Sequence, residues 1–168
     1  MSNVVFIFLC ITTVVYLCLC FTTDLRDRTI YSFPCLPLAA AFWVSALGIT
    51  NHSPYMCGIL IFHVAVFLIF KVKPIWADGD NDLFFLSSAV FANAFFLGVR
   101  NIPAYMATEL IFLSVSLGLS MVIAFIEARI KKRKLEKTSG VALAPGFCIT
   151  CMFLFWSIAK MRWFICTI

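Results

Sequence analysis

Charge is scarce in this sequence. Only 12% of its 168 residues are Asp, Glu, Lys or Arg, against about 25% in an ordinary soluble domain. Hydrophobic residues make up 63%. A soluble fold of this size buries only about 70% of its surface, so no such fold hides that much apolar side chain. The bilayer is the expected solvent for most of the chain. Internal repeats and low-complexity tracts are missing as well, and no stretch reads as a separate soluble domain. The apolar run from Val4 to Phe21 has no basic segment before it and no A-x-A-like cleavage site after it. It therefore reads as a retained first membrane helix rather than a signal peptide.

Eight cysteines are present, but most lie inside apolar runs, where a free thiol behaves as a small hydrophobe. Cys148 and Cys151 form a C-x-x-C within a predicted span, with no second pair and no nearby His. A zinc or redox site needs further ligands or a redox fold, so no metal and no cofactor is expected.

A membrane helix needs about 20 mainly apolar residues. Six segments answer that description: Asn3–Thr23, Phe33–Thr50, Tyr55–Phe70, Leu83–Val99, Ala104–Ile126 and Val141–Ala159. Pro54, Pro74 and Pro103 punctuate the links, as helix breakers do. The expected fold is an all-α polytopic membrane helix bundle with about six transmembrane helices, one domain over 1–168.

Ten of the thirteen basic residues fall in alternate connections: Arg26, Arg28, Lys71, Lys73 and six between Arg129 and Lys137. Arg100, Lys160 and Arg162 fall on the other side. The positive-inside rule puts the ten in the cytoplasm, with the N-terminus and the C-terminus outside. The cluster from Arg129 to Lys137 reads as a topology determinant that meets anionic lipid head groups, and no nucleic-acid partner is expected.

Acidic residues number only eight, and five of them gather in two places: Asp24 with Asp27, and Asp78, Asp80 and Asp82. Asp24 ends the first predicted span and Asp80 opens the fourth, both at the cytoplasmic boundary. Acidic groups at a span edge are costly and point to function. Two close carboxylates do not both ionise readily; one stays protonated as an acid while the other takes a proton from water. Gly79 would let a substrate backbone approach Asp80 and adopt unusual angles. Asp80 ahead of a helix is equally suited to N-capping, and on the residues alone the two roles stand side by side. Three further polar residues fall within spans, His63, Asn93 and Glu109. Interhelical hydrogen bonding and a proton pathway are the alternatives for them.

The stretch Asp24-Leu25-Arg26-Asp27-Arg28-Thr29-Ile30 resembles the first motif of type IV prepilin peptidases, an Asp followed by a basic stretch and Ile-Pro-Asn. Ala77-Asp78-Gly79-Asp80 resembles their second motif, G-x-G-D. A weaker likeness lies in Val141 to Phe147, where Pro145 is the matching residue. The resemblance implies a short, peptidase-only aspartic endopeptidase of the bacterial inner membrane. It implies cleavage of the basic leader of a prepilin or pseudopilin at the cytoplasmic face, with Asp24 and Asp80 catalytic. Gly79, Ala77 and Asp78 complete the motif, and Asp27 and Asp82 are candidates for electrostatic tuning. Tyr31 and Ser32 stand in place of Pro-Asn, Ala77 in place of the first Gly, and Asp82 in place of a Lys. These departures suit a catalytically weakened member, and a non-enzymatic membrane transporter or scaffold is the rival reading.

Overall fold

A computed structural model describes residues 3–27, 29–73, 77–95, 101–130 and 144–166. The described chain forms six helices: α1 (Asn3–Asp27), α2 (Ser32–Ile49), α3 (Pro54–Val72), α4 (Asp78–Ala94), α5 (Ile102–Ile130) and α6 (Ala144–Cys166). Among the described residues there is no strand. The all-α membrane bundle is the observed architecture.

Among the described residues, four helices, α1, α2, α3 and α5, are long and apolar enough to cross a membrane, and α6 adds an apolar stretch over Ala144–Ile158. The expectation of six comparable spans is thereby refined at α4. This helix starts at Asp78, earlier than the predicted Leu83, and its described part ends at Ala94. It also carries Asn81, Asp82, Ser87, Ser88 and Asn93, all buried. Lipid cannot satisfy such groups, whereas neighbouring helices can. Accordingly α4 lies inside the bundle, packed by α2, α3 and α6. Asn93 Nδ2 donates to the Phe42 carbonyl at 2.8 Å, Asn81 Nδ2 to the Phe67 carbonyl at 3.1 Å, and the Cys35 thiol to the Asp82 carbonyl at 3.0 Å.

The outer helices show the complementary pattern. Ile7, Phe8 and Ile11 of α1, Ile61 of α3, and Leu110 and Ile111 of α5 are exposed, as a lipid-facing surface should be. The interior is built around Phe42, Phe91 and Phe147, all fully buried. The Phe42 ring meets Phe6 edge-on at 6.1 Å and Phe155 at 5.7 Å.

Small residues set the α5–α6 crossing, as they commonly do between membrane helices. The Gly146 amide donates to Ser120 Oγ at 3.1 Å, and the Ser116 and Thr150 hydroxyls lie 2.7 Å apart. A Cβ on Gly146 would collide with the Ser116 carbonyl oxygen. On its other side α6 meets α1, where the Cys148 thiol donates to the Leu17 carbonyl at 3.1 Å. Cys148 and Cys151 are both buried free thiols. These contacts bring the start of α6 against the end of α1.

The end of α1, the end of α3, and the starts of α4 and α6 therefore lie together. Most of the basic connection after α5, residues 131–143, is outside the described residues, so the orientation is tested from the charge pattern. A cytoplasmic reporter fused between Arg129 and Lys137 should be active, and so should a periplasmic reporter at the C-terminus. Reversed signals would move both aspartates to the opposite membrane face.

Candidate active site

Asp24 sits in the last turn of α1, and Asp80 in the first turn of α4. The residue preceding α4 is Ala77, which makes no side-chain capping hydrogen bond. Asp80 is the third residue of the helix, so it is not the N-cap that the sequence allowed. Its carboxyl still lies within the first turn, where the helix dipole acts. Asp24 is buried, and its Oδ2 accepts a hydrogen bond from the Ala144 amide at 3.1 Å. The start of α6 thus fixes one carboxylate through a backbone donor.

Asp80 is half-buried. Burial raises its pKa from the ordinary 3.8 to about 7, and the negative charge of Asp24 adds to the shift. Desolvation disfavours the charged carboxyl, and a like charge nearby disfavours it further. The two aspartates, 56 positions apart in sequence, are therefore brought close enough for one charge to act on the other. The arrangement suits one protonated and one ionised carboxyl, as water activation requires.

The remaining acidic residues divide differently. Asp82 is fully buried, and its Oδ1 lies 3.1 Å from Lys71 Nζ at the end of α3. The same ammonium is 3.3 Å from Asp78, whose side chain is largely exposed. Asp82 is thus engaged with a cation rather than standing as a bare charge beside Asp80. Asp27 is exposed and lies 3.6 Å from its neighbour Arg26. A pair of that kind is worth about 0–1 kcal/mol.

Gly79 also has a different task from the one its motif suggests. It has no positive φ and lies within helix α4. Its open face is filled from inside the protein: a Cβ at position 79 would come within 2.6 Å of Ile30 Cβ. The missing side chain admits Ile30, not a substrate backbone, and so locks the segment after Asp24 onto the helix that carries Asp80. The Tyr16 hydroxyl donates to the Tyr31 carbonyl at 2.8 Å and ties the same segment back to α1. Of the third likeness, Pro145 to Phe147 open α6, while Val141 to Leu143 lie outside the described residues.

Lys71, the Ala144 amide and Ile30 were not singled out as site residues by the sequence. For Lys71 a signal was present, since a cation ends α3 seven residues before Asp78, across a link containing Pro74. No family model matches the chain, and neither curated proteins nor solved structures match it.

Proposed function

We propose that the chain is a membrane aspartic endopeptidase that cuts the short basic leader from type IV-like prepilins or pseudopilins at the cytoplasmic face of the bacterial inner membrane. The observation that carries this reading is the pairing of Asp24 with Asp80 at one end of the bundle, one held by a backbone amide and the other raised to about 7. The motif likeness around both residues supplies the substrate class. In the proposed step, Asp24 takes a proton from water and the oxygen attacks the peptide carbonyl. Asp80 then gives its proton to the departing amine. No cofactor, metal or nucleic acid enters this scheme. The partners are the substrate helix and the surrounding lipid.

Co-expression with a panel of prepilins tests it. The expected result is a shortened pilin whose new N-terminus begins at the junction between leader and hydrophobic segment. Uncut prepilins beside correctly inserted protein would overturn the peptidase reading.

A further inference from the structure

A second pair of ionisable side chains meets away from the aspartates. His63, midway along α3, and Glu109, in the second turn of α5, are 1% and 2% exposed. His63 Nε2 and Glu109 Oε1 are 2.7 Å apart. Aromatic rings enclose the imidazole: Phe62 at 5.3 Å, Trp43 at 5.4 Å and Phe84 at 6.3 Å.

The hydrogen count of this pair follows from its partners. His63 Nδ1 lies 2.8 Å from the Ile59 carbonyl oxygen. A carbonyl only accepts, so Nδ1 carries a hydrogen and donates it. Two lone pairs cannot face each other at 2.7 Å, so a second hydrogen sits between Nε2 and Oε1. Glu109 Oε2 decides which atom holds it, because that oxygen is buried with no hydrogen-bond partner. An ionised carboxylate would keep negative charge on this unpartnered oxygen, at the full cost of desolvation. A carboxylic acid donating from Oε1 to Nε2 leaves Oε2 as a neutral carbonyl oxygen, which is far cheaper to bury.

Two further polar atoms flank the pair without partners. Tyr105 Oη belongs to a residue one turn before Glu109 on α5, and Trp43 Nε1 to a ring packed against the imidazole. We propose that His63 and Glu109 form an intramembrane proton-binding site, in which Glu109 holds an exchangeable proton donated to His63 Nε2. Tyr105 and Trp43 offer hydrogen bonds to the water that exchanges it. In each exchange Glu109 Oε1 gives its hydrogen to that water and takes another back from it, so the carboxyl is neutral before and after and no other bond changes. Ionisable residues within membrane spans commonly serve such relays. This site is independent of the peptidase reading and stands or falls without it.

Infrared spectroscopy of the full chain in liposomes tests the proposal, in an Asp80→Asn background that removes the half-buried carboxyl of the candidate active site. The expected result is a protonated-carboxyl stretch that shifts when H2O is replaced by D2O. The band should vanish in Glu109→Gln and change frequency in His63→Gln. Glu109→Gln should still fold, because its amide can donate to Nε2 as the acid does. Nitrogen-15 histidine spectra should show Nε2 as an unprotonated acceptor. A Glu109 carboxylate with both His63 nitrogens protonated would overturn the proposal in favour of a fixed ion pair. A Glu109 band indifferent to D2O would overturn it in favour of a static structural bond.

Discussion

Replacing either Asp24 or Asp80 with Asn should abolish prepilin cleavage, and replacing both should be no worse than replacing one. In the proposed mechanism each carboxyl has a role that the other cannot fill while it keeps its own. Asp24 supplies the negative charge, fixed by the Ala144 amide, and Asp80 holds the proton because burial and Asp24 together oppose its ionisation. Loss of a positioned acid or base costs about 10²–10⁴-fold in rate, and groups that act as a unit lose that contribution once. Asp27→Asn, altering an exposed side chain paired only loosely with Arg26, should retain most activity. Cleavage measured in detergent or liposomes checks all four variants. A fully active, correctly inserted Asp24→Asn protein would end the two-carboxylate mechanism.

The same pairing sets a pH dependence. Below about 7 Asp80 keeps its proton, and as pH rises through about 7 it loses it. Wild-type kcat/KM should therefore fall on the alkaline side of neutrality. Stability should move in the same direction. The folded-state pKa lies above the ordinary 3.8, so the stabilisation is fully present below that value and is lost as pH rises to about 7. Asp80→Asn, which cannot ionise, should show a flatter stability profile between those limits.

The helices and the places of Asp24 and Asp80 at helix ends were legible because each depends on a local pattern. Apolar runs of membrane length marked the helices, and acidic residues at their edges marked one end of the bundle. What was not legible depends on which helices touch. Asn81, Asp82, Ser87, Ser88 and Asn93 already distinguish α4 from its neighbours, but an apolar count alone reads such a segment as another span. Only the packing of α2, α3 and α6 around it shows it as the enclosed element. His63 and Glu109 are separated by 46 positions, and no periodicity joins a lone polar residue on one helix to another two helices away. Gly79 was misassigned for a related reason. A glycine announces that something approaches closely, and only the fold reveals that the visitor is Ile30.

Lys71→Met should destabilise the bundle by about 1–3 kcal/mol, the loss that follows when a buried polar group is left without its partner; the ammonium itself is partly exposed, which lowers the cost below that of a fully buried pair. The effect comes through Asp82, whose side chain is fully buried and lies 3.1 Å from Lys71 Nζ. Without the ammonium its charge is stranded in the interior. The exposed Asp78, 3.3 Å from the same nitrogen, should add little, because water screens that pair. A second substitution, Asp82→Asn, should recover much of the lost stability by removing the stranded charge, while Lys71→Arg should preserve most of it in a single step. Thermal unfolding of the purified chain in one detergent measures the series, and equal stability of Lys71→Met and wild type would show that the pair carries no weight. Activity reports on a separate point. An unneutralised Asp82, two residues beyond Asp80, adds negative charge near a carboxyl already held at about 7 by burial and Asp24. Like charge disfavours ionisation, so the alkaline fall in cleavage should move to higher pH in Lys71→Met and return in the double variant. A fall that stays in place while stability drops would mean that Lys71 anchors α3 to α4 without tuning the catalytic pair.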